Sequence, residues 1–309
     1  MKPIALLAAD LHIRASAPES RIDDYFNTQF HKFDFICSLA SKYHIPIIEA
    51  GDLGDKSHWT NILLRRFIEI VYKYDVDILV VPGQHDLPHH RLDMIHESGI
   101  GVLHEDCTIN VITGYKGYVW PDSLNPSFYI SSFPWGSSIE NIERKEGLSI
   151  AVAHQLVIEN NLEWPGQVAN KATDLLKKNF NYDLILTGDN HNPFICEYEG
   201  RLLVNPGSMC RMKSNQKDHK PRVYLWYDNN TVQPIYLPIE NNVINISSNK
   251  EEVEILNEKI QILIDKINAD SDISLSFEDN LNNVLINRDI PSRISSIINN
   301  FIEDIKGDK

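Results

Sequence analysis

Ile4-Ala5-Leu6-Leu7-Ala8-Ala9-Asp10-Leu11-His12 begins with six apolar residues and stops at a carboxylate and an imidazole. An aliphatic run of that length, ended by charged groups, predicts a strand buried on both faces that enters a loop. Three further stretches repeat the form. Residues 45–48 lead into Gly51-Asp52-Leu53-Gly54-Asp55, residues 76–82 into Gly83-Gln84-His85-Asp86, and residues 184–187 into Gly188-Asp189-Asn190-His191. Open α/β sheets assemble their sites at such carboxyl ends of strands. Carboxylates and an amide mixed with imidazoles suit Mn²⁺, Fe²⁺ or Zn²⁺. The convergence implies metal-dependent hydrolysis.

Around these runs the pattern alternates. An aromatic-rich helix is expected over 22–44, with Tyr25, Phe26, Phe30, Phe33, Ile36 and Leu39 on its core side, and another over 61–74. Further strands are expected at 101–103, 108–112, 128–132, 148–153, 202–204 and 223–226, and helix-length stretches near 138–146 and 170–179. Strands that alternate with helices early and crowd together later suggest two stacked sheets flanked by helices. After Pro238 the composition shifts to Asn, Ile, Lys and Glu. An amphipathic helix over 251–267 and a second from Pro291 to 305 predict a small α-rich unit at 241–309, following a main domain at 1–240.

Hydrophobic residues make up 42% of the chain, enough for a substantial core and against wholesale disorder. Cys37, Cys107, Cys196 and Cys210 form no C-x-x-C pair and are expected to be buried free thiols in a reducing compartment. The apolar N-terminal run is too short for a signal peptide core or a membrane span, so a cytoplasmic protein without membrane contact is expected. Residues 240–309 hold 14 acidic and 7 basic side chains, half of the net charge of −14. No global basic face is visible, but Arg211, Lys213, Lys217, Lys220 and Arg222 oppose only Asp218 within twelve residues. That run is a candidate nucleic-acid contact, with a solvated basic loop as the equal alternative. His58, His89 and His90 read as surface or substrate-loop residues.

In order, the clusters are D-x-H at Asp10 and His12, G-D-x-x-D at Asp52 and Asp55, G-Q-H-D at Gln84, His85 and Asp86, a lone His154, G-D-x-H at Asp189 and His191, and N-P-G-S at residues 205–208. This series resembles the calcineurin-type metallophosphoesterases. The resemblance implies a four-layer α/β/β/α sandwich, here with a small C-terminal α-containing extension, and two divalent metal ions. It implies Asp10, His12, Asp52 and His191 at the first ion. At the second it implies Asp52 as the bridge, with Gln84, His154 and Asp189. His85 would protonate or hydrogen-bond the leaving oxygen, and Asp86 would orient that imidazole. Two positions depart from the family pattern: Gln84 stands for the usual Asn, and Asp189 for the first His of G-H-x-H. An added carboxylate favours Mn²⁺, with Mg²⁺ or Fe²⁺ next, over Zn²⁺. Pro134-Trp135-Gly136 and N-P-G-S followed by Arg211 are similar to SbcD-type DNA repair nucleases, although Asp55 stands where those commonly have a His. That narrower likeness implies a DNA exo- or endonuclease of repair or recombination. It also implies a coiled-coil ATPase partner of the SbcC type, docked by C-terminal helices, and leaves a homodimer open. The alternatives are a small-molecule phosphatase or phosphodiesterase, or a catalytically weakened nucleic-acid or partner-binding module.

Overall fold

The computed structural model describes residues 1–114, 118–120, 128–143, 146–159 and 169–245. In chain order the elements are β1 (Pro3–Ala8), α1 (Tyr25–Tyr43), β2 (Ile47–Glu49), α2 (Asn61–Tyr74), β3 (Ile78–Val80), α3 (Gly99–Glu105), β4 (Asn110–Val111) and β5 (Tyr118–Trp120). They continue with β6 (Phe128–Phe133), β7 (Leu148–His154), β8 (Val157–Ile158), β9 (Asn170–Lys171), α4 (Ala172–Lys178), β10 (Leu184–Gly188), β11 (Phe194–Tyr198), β12 (Arg201–Asn205), β13 (Arg222–Tyr227) and β14 (Val232–Tyr236).

Two six-stranded sheets carry the fold, in the orders β14-β13-β1-β2-β3-β4 and β11-β12-β10-β7-β6-β5. Side chains alternate across each strand, and in the central strands both faces are buried, which explains the unbroken apolar runs. On β1, Leu6 and Ala8 point to the α1/α2 side while Ala5 and Leu7 point between the sheets. Ile78 and Val80 against Leu79 repeat this on β3. On the second sheet, Ile150, Val152, Leu184 and Leu186 fill the space between the sheets, and Ala151, Ala153 and Ile185 face α4. The layers are therefore helix, sheet, sheet, helix. Over the first sheet, Phe33 of α1 stacks on Phe67 of α2 with ring centroids 4.4 Å apart. Each such fully buried ring contributes roughly 1.5–3 kcal/mol.

Several sequence expectations shift. Residues 101–103 lie in α3 and not in a strand. The Ser98 hydroxyl accepts the Gly101 amide at 3.0 Å, starting a helix that buries Ile100 and Leu103. The strand expected over 108–112 shrinks to β4, and residues 138–143 form no regular element. The helix expected over 170–179 keeps only α4, its first two residues pairing as β9 with β8. Strands β11 and β14 were not anticipated. Their partial burial, and Pro234 inside β14, are those of sheet edges, which do not read as apolar runs. Cys37 and Cys210 are buried as expected, but Cys107 is exposed and Cys196 half-buried; all four are free. Among the described residues, no helix is long and apolar enough to cross a membrane. The chain divides into the units Met1–Ile246 and Ser247–Lys309. The helices expected over 251–267 and 291–305 lie outside the described residues.

Candidate metal centre

The strands that bear the sequence clusters are parallel neighbours, and their register sets the site. Ala8 of β1 pairs with Glu49 of β2, so the following loops run side by side. The Asp10 amide donates to the Gly51 carbonyl at 3.1 Å, and the His12 amide to Asp52 at 2.9 Å. In the other sheet, His154 at the end of β7 pairs with Gly188 at the end of β10. Asp189 and His191 thereby reach the same edge.

Asp10, His12, Asp52 and Asp189 all have left-handed backbones, with φ of 52°, 46°, 59° and 75°. Non-glycine residues rarely adopt this region, and four of them at one site is strain held for a function. Gly83 cannot be replaced, because a Cβ there would stand 2.2 Å from Asp52 Oδ1. Asp86 supports the same turn. Its buried carboxylate accepts the amides of Asp52, Gly54 and Gly83, each at 2.9 Å. This differs from the expected pairing of Asp86 with the His85 ring. His85 Nδ1 instead faces the Asp55 carbonyl at 3.0 Å. A carbonyl oxygen only accepts, so Nδ1 carries hydrogen and Nε2 is left toward the cleft. The Asp55 carboxylate is held by Arg14 at 2.9 Å.

The donors converge in two sets. Asp10, His12 and His191 bring ligand atoms within 4.8 Å of one another, as do Asp10, Asp52 and His154. His12 Nε2 and His191 Nε2 face each other at 3.1 Å. Asp10 is common to both sets, and Asp52 Oδ2 also reaches across them, 3.8 Å from His12 Nε2 and 3.4 Å from His154 Nε2. The His154 Nδ1 donates to the Ala50 carbonyl at 2.6 Å, which aims Nε2 into the centre. Asp10 Oδ2, Asp52 Oδ2, Gln84 Oε1 and His154 Nε2 are buried without a hydrogen-bond partner. Buried polar atoms are paired unless something else satisfies them. Two carboxylates, an amide oxygen and an imidazole left open at one point fit divalent cations. Asp189 stands apart from both sets: its carboxylate accepts from Gln84 Nε2 at 2.8 Å, and its amide donates to Asp10 Oδ1 at 3.1 Å.

Electrostatics agree with cation binding. Burial raises Asp10 to about 8, with the charge of Asp52 adding to it and His154 opposing. Burial pulls His154 down, but the Asp52 carboxylate, 3.4 Å from its Nε2, and the charge of Asp10 outweigh it and lift the imidazole to about 10. Burial lowers His12 to about 3, and burial with the Lys213 charge lowers His191 to about 4, so both imidazoles are neutral donors. Divalent ions would take the place of the protons on Asp10 and His154. Sequence reasoning missed Glu49, which is buried and accepts the Gly51 amide at 2.9 Å. It precedes the motif inside a strand, where its polarity was the available signal.

The centre opens on a cleft of about 330 Å³ lined by Asp52, Gln84, His85, Asn190, His191 and Lys213 among others. Of the basic run, only Lys213 lines it. The guanidinium of Arg211 binds the carbonyls of Lys217 and Glu240, Arg222 lies over the Tyr236 ring at 4.9 Å, and Lys217 is 4.0 Å from Asp218. Lys220 is exposed, outside the cleft lining.

The chain is similar to three solved structures, each at 12% identity. The protein TT1561 of Thermus thermophilus aligns over 76% of this chain and 99% of its own, with a TM-score of 0.46. Phosphopantetheinyl hydrolase from Mycobacterium tuberculosis aligns over 76% and 96%, at 0.43. An archaeal phosphodiesterase aligns over 75% and 99%, at 0.40. No curated protein sequence matches the chain. Residues 6–229, which hold every donor described above, match the calcineurin-like phosphoesterase superfamily domain, and the chain belongs to that superfamily of metal-dependent phosphoesterases.

Proposed function

We propose that the chain is a two-metal phosphodiesterase acting on DNA, an exo- or endonuclease of the SbcD type. The observation that carries the phosphodiesterase reading is the pair of donor sets that share Asp10 and are linked by Asp52, with His85 exposed beside them at the cleft. Two ions held there supply Lewis-acid activation of water and neutralise charge on the phosphoryl group. Asp10, His12 and His191 would hold one ion; Asp52, His154 and the amide oxygen of Gln84 would hold the other. His85 Nε2 would meet the leaving oxygen, and Lys213 a phosphate at the cleft edge. Support for a DNA substrate comes from the open cleft, Lys213 and the sequence motifs. The reading carries with it a coiled-coil ATPase partner docked by residues 251–305. The engagement of Arg211 and Arg222 within their own chain favours the second reading, a small phosphodiester. Mn²⁺-dependent digestion of linear DNA, run beside hydrolysis of bis-(p-nitrophenyl) phosphate, separates them. Hydrolysis of the small ester alone would overturn the nuclease.

The Gln84–Asp189 hydrogen bond places both departures from the family pattern in one pair. Asp189 thereby biases the second position toward hard ions by charge without being a close member of either donor set. Activity is expected to be greatest with Mn²⁺ and poor with Zn²⁺. The double variant Gln84→Asn with Asp189→His puts an imidazole in place of the carboxylate and shifts the preference toward Zn²⁺. Elemental analysis and metal titration check this; two equally tight Zn²⁺ ions supporting the highest rate in the unaltered protein would overturn it.

A further inference from the structure

Trp135 and His90 form an aromatic pair on the outside of the Gln84 loop. Trp135 follows β6 and is 39% exposed, although the residue two before it, Phe133, is fully buried. Its ring lies 5.4 Å from the exposed ring of His90, tilted by 43°. Both partners are fixed to the strand end that presents Gln84. The Trp135 amide donates to the Pro82 carbonyl at 3.0 Å, and His90 Nδ1 donates to the Gln84 carbonyl at 3.1 Å. His89 and His90 are held at φ of 53° and 58°, consecutive left-handed conformations that ordinary loops avoid. Single exposed aromatics are common and need no explanation. Here, however, an exposed indole and an exposed imidazole are pinned by backbone hydrogen bonds to the same short segment that carries a metal-facing amide.

We infer that Trp135 and His90 are a stacking platform for a nucleobase of the phosphodiester substrate, tied to the Gln84 segment that lines the cleft. The inference rests on the phosphodiesterase reading and adds to it a specificity for nucleotide esters. Every base has a π face, so the platform selects for a base without reading which base it is. An indole offers a large π face for that, and the His90 ring lies beside it at 5.4 Å.

The test compares thymidine 5′-(p-nitrophenyl phosphate) with methyl p-nitrophenyl phosphate, which share the leaving group and differ in the nucleoside. With the full chain in Mn²⁺, Trp135→Ala is expected to raise KM for the nucleoside ester by about 5- to 100-fold, the scale of one base–aromatic stack. Both constants for the methyl ester should stay unchanged. Trp135→Phe keeps a π face and should recover most of the loss. Equal effects on both esters, or none on either, would overturn the platform. Should the unaltered protein hydrolyse neither ester, the phosphodiesterase reading fails and the platform is judged by binding alone. Thymidine nucleotide should then quench tryptophan emission in the unaltered protein and not in Trp135→Phe, and equal quenching in both overturns it.

Discussion

Asp52→Ala is expected to take turnover to the limit of detection and to remove metal from both positions. Asp52 Oδ2 lies 3.8 Å from His12 Nε2 in one donor set and 3.4 Å from His154 Nε2 in the other, and with Asp10, which belongs to both sets, it is one of two carboxylates set between the imidazoles. Asp52 has a second task, because its Oδ1 accepts the His85 amide at 2.8 Å. Asp52→Asn separates the two tasks. The amide oxygen still accepts that hydrogen bond, while the negative charge that attracts the cations is gone. Without metal, burial opposes the Asp52 charge, and the nearby His154 imidazole outweighs burial and holds the group down at about 2. The alanine variant therefore leaves a buried His154 without its counter-charge, and the asparagine variant is the safer judge of chemistry. Thermal unfolding with and without Mn²⁺ checks the metal. The unaltered protein should gain stability from a ligand that binds only the folded state, by about 2.7 kcal/mol at a hundredfold excess over Kd, and both variants should gain none. Full Mn²⁺-dependent activity in Asp52→Asn would remove the two-metal centre.

The parallel strands and the converging loops were legible because both faces of each central strand are buried, which leaves apolar runs with charged ends. Elements whose pattern serves other ends were not. Residues 101–103 look like a strand end by composition, and only the Ser98 cap turns them into the middle of α3. Edge strands β11 and β14 are only partly buried and blend into loop composition. At the site, the identities of the donors could be read, since Asp, His and amide side chains at strand ends have few structural uses. Their pairings could not. Asp86 adjoins His85 in sequence, but its carboxylate turns inward to the Asp52, Gly54 and Gly83 amides, and the His85 ring is set by the Asp55 backbone. The Gln84–Asp189 bond joins residues 105 apart that each looked like a ligand. The basic run of 211–222 shows the same limit, since charge is visible in sequence while the direction of each side chain is set by packing.

Replacing His85 by alanine or asparagine is expected to lower turnover of a phosphodiester with an alkoxide leaving group by roughly 10²–10⁴-fold, the usual scale for a positioned acid–base group, with metal content unchanged. His85 is outside both donor sets, its Nε2 is 4.0 Å from Asp52 Oδ2, and its side chain is 45% exposed, so no ion loses a close ligand. The leaving group supplies a sharper test than the rate alone. An alkoxide leaving from a phosphodiester needs a proton or a strong hydrogen bond as the P–O bond breaks; with Nδ1–H fixed on the Asp55 carbonyl, the imidazolium form of His85 carries the second proton, on the Nε2 left facing the cleft, that would supply it. A p-nitrophenolate leaves without that help. If His85 assists departure, His85→Asn should lose most of its activity on a dinucleotide and little on bis-(p-nitrophenyl) phosphate. If it instead orients the attacking water or binds the phosphate, both substrates should suffer alike. Loss of metal in either variant would show His85 to be a ligand. An equal loss on both esters with metal retained would move its role from the leaving oxygen to the attacking side.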